Sequence, residues 1–120
     1  MARAAVPGQF EQLVLTSIVA LGENAYGVTI HQKVQELAHP RTVALGAVYV
    51  TLDRLEDKKY ISSWLTEPTR ERGGRAKRCY RIETPGVQAL EESTVAARRM
   101  WDVLKDVWGR RGSKWGKAWE

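Results

Sequence analysis

Cysteine and histidine are nearly missing from this 120-residue sequence, which holds Cys79, His31 and His39 and no others of either kind. One cysteine permits no disulfide within the chain, which suits a reducing cytoplasm. One cysteine and two histidines cannot assemble a four-ligand Cys/His zinc site. A Cys–His nucleophile pair would have to bring Cys79 to a distant helix. Glu91 with Glu92, and Asp102 with Asp106, read as solvated helix charges rather than acid–base pairs. An enzyme is therefore not expected, and no cofactor or metal is called for. Long apolar runs are missing too. The most apolar stretch, "LVLTSIVALG" (Leu13–Gly22), falls well short of the roughly 20 residues that cross a bilayer. Only Arg3 precedes it and Glu11 abuts it, so it reads as a buried helix rather than a leader, and no membrane partner is expected. Repeats and low-complexity tracts do not occur.

Charge is what the chain has in excess. The formal net charge is +5, which points toward a polyanionic partner. The excess is unevenly spread. Residues 1–66 carry six Lys/Arg against six Asp/Glu, residues 67–83 six against three, and residues 84–120 seven against five. The densest cluster is "ERGGRAKRCYRIETPG", Glu71–Gly86.

Hydrophobic spacing organises the remainder. Gly8 to Leu21 is apolar nearly all round, with Gly22 as a natural stop, so this first helix needs cover on most sides. Gly27 to Ala38 repeats Ile30, Val34 and Leu37 at helical spacing, and Pro40 ends that helix. His31 is expected on its solvated face and His39 in the turn. A third helix starts at Thr42 or Ala44 and runs to Lys59, with Leu45, Val48, Leu52 and Leu55 as its buried stripe. Two alternating segments follow, Tyr60–Thr66 and Lys77–Glu83. In the first, Ile61 and Leu65 share a side. In the second, Tyr80 and Ile82 share one side and Lys77, Cys79 and Arg81 the other. Thr84-Pro85 then caps a fourth helix that runs to Trp108 and closes at Gly109. Helix, helix, helix, hairpin, helix is the order of a winged helix-turn-helix: mainly α, with a small β-hairpin wing and a C-terminal dimerisation helix. The division expected is residues 1–83 for the DNA-binding domain, 84–108 for the dimerisation helix and 109–120 for a basic, flexible tail.

That order decides what Gly73-Gly74 does. A phosphate cradle would need Gly-Lys-Ser/Thr and a helix directly after the glycines, and neither follows. A linker would not be flanked by alternating apolar strands. The glycines instead suit the tip of a hairpin that carries Arg70, Arg72, Arg75, Lys77 and Arg78 along a duplex backbone.

In its motifs the chain resembles the PadR family of bacterial transcriptional regulators, in the short form with a single C-terminal helix. The matching stretches are "LGENAYGVTI" (Leu21–Ile30), "GAVYVTLDRLEDKKYI" (Gly46–Ile61) and "GGRAKRCYRIETPG" (Gly73–Gly86). Lys59 stands where the family usually has glycine, Val28 at a usual tyrosine, Ala76 at a usual proline and Cys79 at a usual aromatic residue. The resemblance implies a homodimer that represses transcription from an inverted-repeat operator, relieved in some relatives by flat aromatic effectors.

Particular residues can be given tasks on double-stranded DNA. Arg41 and Thr42 sit at the mouth of the third helix, where amides and a positive dipole favour phosphate. Ala47, Val50 and Thr51 offer methyl groups to thymine, and Arg54 is placed for guanine or phosphate. Tyr49 is read as a phosphate donor or, almost equally, as core. Arg72, Arg75, Lys77 and Arg78 are the wing's phosphate contacts. On the fourth helix Leu90, Ala97, Trp101, Leu104 and Trp108 follow heptad steps and are read as the dimer seam. Trp101 and Trp108 are also candidates to stack on an aromatic ligand, although packing is favoured. Cys79, flanked by Lys77 and Arg81, is a candidate redox-sensitive thiol. The rival reading is a winged-helix module whose third helix and wing meet an acidic protein instead of DNA.

Overall fold

The computed structural model describes residues 7–68, 73 and 76–111, which form four helices and a two-stranded hairpin in the expected winged helix-turn-helix order. The elements are α1 (Gln9–Leu21), α2 (Gly27–Ala38), α3 (Leu45–Asp57), β1 (Ile61–Leu65), β2 (Arg78–Ile82) and α4 (Thr84–Arg111).

The first three helices close a small core. Val14, Leu15 and Ile18 of α1 meet Ile30 and Val34 of α2 and Val48, Leu52 and Leu55 of α3, and Tyr60, Ile61 and Tyr80 cover them from the hairpin. Fully burying each large apolar side chain contributes about 1.5–3 kcal/mol. Ser17 is buried among them, and its hydroxyl donates to the Leu13 carbonyl at 2.7 Å, so its burial leaves no unmet donor. Two expected core positions lie outside: Leu37 is 47% and Leu45 41% exposed. The Leu45 discrepancy follows from where α3 begins. Its N-cap is Ala44, so Leu45 occupies the open first turn and the buried stripe runs through Val48, Thr51, Leu52 and Leu55. The solvated role given to His31 is also corrected. It is half-buried, and its Nε2 donates to the Val43 carbonyl at 2.6 Å. Gln35 fixes the same turn from both ends, donating to the Arg41 carbonyl (2.6 Å) and accepting from the Val43 amide (2.9 Å).

At its other end α3 closes on a left-handed residue. The Lys59 amide donates to Glu56 and the Tyr60 amide to Leu55, both at 3.0 Å, while Lys59 has φ of 67°. That pair of bonds is the Schellman arrangement, which favours glycine at this position. A lysine there bears strain of about 1–2 kcal/mol. Replacing it should stabilise by less, since glycine loses roughly 0.5–1 kcal/mol of extra chain entropy on folding. Lys59→Gly is therefore expected to raise the denaturant midpoint, by a net gain of about 0.5–1 kcal/mol, with an unchanged m-value.

The hairpin pairs Ile61 with Ile82, Trp64 with Cys79 and Leu65 with Arg78. A short extended segment joins its edge. The Tyr80 amide donates to the Ala25 carbonyl at 2.8 Å, and Tyr26 forms a bridge to Cys79. Cys79, expected on an open cationic face, is consequently only 4% exposed. A thiol shut in this way is not presented to oxidants, so the redox role is withdrawn. Leu65, expected on the side of Ile61, is 60% exposed near the end of β1.

α4 is anchored at its start. Gly86 is buried beneath the α3–β1 corner, and Ala89 and Ser93 are 8% and 5% exposed. Just before the helix, Glu83 accepts hydrogen bonds from the Ser62 hydroxyl and from Arg81 Nε, and these hold its carboxyl below the usual range. Gly109, expected to close the helix, does not; α4 continues to Arg111, and Arg110 pairs with Asp106 at 2.8 Å one turn back. An interior glycine costs only about 1 kcal/mol. Beyond Ser93 the helix leaves the domain. Val95, Met100, Trp101, Val103 and Leu104 are between 43% and 63% exposed. No helix among the described residues is long and apolar enough to cross a membrane.

Candidate nucleic-acid interface

α3 exposes one face and hides the other, as a groove-reading helix must. Ala47, Val50 and Arg54 are exposed at steps of three and four, with Gly46 beside them. Val48, Leu52 and Leu55, on the opposite side, are wholly buried and hold the rod to the domain. Thr51, expected to offer its methyl to bases, is 6% exposed. It lies three residues after Val48 and four before Leu55, so helical spacing turns it inward. Arg41 and Thr42 are exposed in the turn preceding α3 rather than in its first turn, because the helix starts only at Leu45.

Tyr49 reaches away from this face toward α2. It is 43% exposed, yet its phenol lies directly over Gly27, the first residue of α2. A β-carbon on Gly27 would overlap the Tyr49 hydroxyl and stand 2.6 Å from its Cζ. Only glycine leaves room for this approach. Lys77 arrives from the other side, its ammonium 3.9 Å from the centre of the Tyr26 ring. The wing's base is fixed there: Thr66 donates its amide to the Lys77 carbonyl at 2.8 Å and accepts from the Lys77 amide through its hydroxyl at 3.1 Å. Arg78 is tied to β1, donating from Nη1 to the Ser63 hydroxyl at 2.9 Å. Tyr26, Gly27, Val28, Tyr49, Ala76, Lys77, Arg78 and Tyr80 together line a hollow of about 450 Å³. Three of the expected DNA contacts, Tyr49, Lys77 and Arg78, thus converge there, while Ala47, Val50 and Arg54 lie on the free face of α3. Arg72 and Arg75, with Arg70, lie outside the described residues.

The sequence profile of the transcriptional regulator PadR-like family matches residues 14–92, from the core of α1 to the first turns of α4. The chain belongs to that family. Members of the PadR-like family are transcriptional regulators, not enzymes. This PadR-like chain is similar to a PadR family transcription regulator from Clostridium difficile, at 22% identity and TM-score 0.61, over 86% of this chain and 97% of that one. It is also similar to a PadR-like transcriptional regulator from Bacillus cereus, at 23% identity and TM-score 0.65, over 81% and 88%. A third similar structure is the ORC1 protein of Aeropyrum pernix in complex with DNA, at 26% identity and TM-score 0.58, over 77% of this chain and 26% of that one. Among curated proteins, none matches this chain.

Two residues of this PadR-like site, Tyr26 and Gly27, carried no role in the sequence reading. Their signal lay in the glycine itself: a helix opening on glycine, with no side-chain cap, leaves its first amides uncovered. The far half of α4 forms a second exposed surface. Ala97, Trp101 and Leu104 are exposed, Trp108 is half-buried, and Leu90 packs partly against the core of its own chain. Trp101 and Trp108 stand edge to face, centroids 5.9 Å apart at 74°. Nearer the domain, Val19, Val87, Leu90 and Val95 line a groove of about 650 Å³ between α1 and α4, rimmed by Arg98 and Arg99.

Proposed function

We propose that this PadR-like regulator is a cytoplasmic repressor that binds an inverted-repeat operator as a homodimer. The observation that carries the reading is the free face of α3 standing beside a cationic wing base, with Val50 52% exposed on the rod and Lys77 seated against α2. In this reading residues 1–83 bind DNA and residues 84–108 pair two copies, with residues 109–120 as a basic tail. Ala47 and Val50 touch thymine methyls, Arg54 reads guanine or phosphate, and Tyr49, Lys77 and Arg78 hold the backbone. Val19 and the outward residues of α4 are covered by the second copy. A flat aromatic effector would enter at Trp101 and Trp108, exchanging their contact with each other for stacking on the ligand.

Fluorescence anisotropy on promoter-region duplexes across a salt series tests this against the rival module that meets an acidic protein. Affinity should fall steeply with salt, as phosphate contacts release counterions. Lys77→Ala should weaken all sequences alike and lower the slope of log K against log salt by about one. Arg54→Ala should instead reorder sequence preference, costing about 1–3 kcal/mol on the preferred site and less elsewhere. Equal losses from both variants on every sequence would remove α3 from the groove.

A further inference from the structure

The hollow between α2, α3 and the wing has features that general cationic attraction does not require. α2 is twelve residues long, and its N-cap Tyr26 supplies no side-chain hydrogen bond to the helix. The amides of Gly27 and Val28 lack intrahelical acceptors by helix geometry, and the helix dipole places partial positive charge there. Thr29 does not cover them; its hydroxyl accepts from the Tyr26 amide and donates to the Asn24 carbonyl. The hollow also holds an unanswered polar group. Tyr80 is 4% exposed and lines the cavity, and its hydroxyl has no hydrogen-bond partner among the described residues. A buried hydroxyl ordinarily finds one. Its environment is mixed: burial raises its pKa most, Arg78 opposes this, and Glu56, Asp53 and Tyr49 add to it. Of the two carboxylates, Glu56 is engaged by the Ser63 hydroxyl at 2.7 Å. A hydroxyl left protonated in this way is available to donate.

The wall is also held rigid. Tyr80 is tied to Ala25 through its amide, and Tyr26 bridges Cys79, so backbone pairing joins the wing base to the residues just before α2. The absence of a β-carbon at Gly27 leaves the room in which Tyr49 lies against the start of α2. Tyr49, Tyr80, the first two residues of α2 and Lys77 therefore line one space. That set of donors, with positive charge on one wall, suits a tetrahedral oxyanion.

We infer that this hollow is a preformed seat for a single DNA backbone phosphate, held by the Gly27 and Val28 amides, the Tyr49 and Tyr80 hydroxyls and Lys77. The inference rests on the DNA-binding reading above and assigns one contact within it. The seat fixes the domain's register on the duplex and carries no sequence information. Tyr49, although on the groove-reading helix, is thus a positioning residue.

The test uses the full chain, with ¹H–¹⁵N spectra titrated separately with a duplex of unrelated sequence and with inorganic phosphate. Anisotropy is measured in parallel on Tyr49→Phe and Tyr80→Phe, which keep the ring packing. The duplex should move the Gly27 and Val28 amides, and inorganic phosphate should move the same amides at far higher concentration. Tyr49→Phe should weaken every duplex about tenfold with an unaltered salt slope, because a neutral donor releases no counterion. Tyr80→Phe should weaken all sequences less, and again equally. If the duplex binds while both amides stay still, or if Tyr49→Phe binds as the parent does, the seat is overturned and the DNA-binding reading stands. If phosphate moves the amides but no duplex binds at low salt, the hollow takes free anions, and both the DNA seat and the DNA-binding reading fall.

Discussion

Leu104→Glu combined with Trp101→Ala is expected to convert the protein to a monomer and to weaken operator binding by two orders of magnitude or more. The two side chains are 43% and 53% exposed in the protomer, so neither supports its core. Their replacement should leave the winged domain folded, with the helical signal of α1 to α3 intact. In a two-fold dimer each would be covered twice. At about 1.5–3 kcal/mol per large apolar side chain, the pair would contribute up to several kcal/mol to association, and the introduced glutamates would face each other besides. Operator affinity follows from that coupling. Two linked half-site contacts exceed one by roughly 10²–10⁴-fold, an advantage lost once the copies separate. Light scattering gives the mass, and anisotropy on a full operator against an isolated half-site gives the coupling. The variant should bind both targets with nearly the same weak affinity. A variant that remained dimeric would move the seam elsewhere, to the groove between α1 and α4. A parent that is itself monomeric would end the dimer proposal.

Much of this architecture was legible because its signals are local. Gly22 and Pro40 bracket helices whose apolar spacing is regular, and α1 and α2 begin and end within a residue of expectation. Lys59, standing at a position where glycine is usual in the family, takes a left-handed conformation that favours glycine. The misreadings share a different cause. Leu45 was misplaced because the start of α3 was set one to three residues early, and a first-turn side chain has no preceding turn to press it inward, whereas Thr51 falls at helical spacing between Val48 and Leu55. Hydrophobicity favoured the leucine; geometry favoured the threonine. Cys79 and His31 were misjudged through partners remote in sequence. The strand-like Ala25–Tyr26 segment that covers Cys79 lies more than fifty residues before it, and too short a run of residues pairs there to show alternation. His31 is held by a carbonyl twelve residues away. The hollow shows the same division. Its cations were visible in composition, whereas the approach of Tyr49 to Gly27 depends on the crossing of two helices.

Gly86→Ala should be the most damaging single methyl in the described part of the chain. A β-carbon there would overlap the Tyr60 carbonyl oxygen and stand 2.9 Å from Ile82 Cγ1. Neither obstacle is free to swing aside. The Tyr60 carbonyl accepts from the Glu83 amide at 2.9 Å, and Ile82 is paired with Ile61 across the hairpin. Relief requires α4 to lift from the α3–β1 corner. Overpacking of this kind costs about 1–3 kcal/mol, and against backbone the upper end applies, which corresponds to a fall in Tm of roughly 10 °C. Gly46→Ala is the matched control. Its β-carbon would meet nothing within 4 Å, so in a helix it should add about 0.5–1 kcal/mol while placing a methyl on the face offered to DNA. Thermal unfolding and anisotropy on both variants separate the two effects. Gly86→Ala should lower stability and, in the proposed dimer, also weaken the full operator more than the half-site, because there α4 would set the distance between the two recognition helices. Gly46→Ala should raise stability and weaken both targets in the same proportion. Equal thermal stability of the two variants would mean that the corner yields easily, and that α4 is not rigidly held to the winged domain.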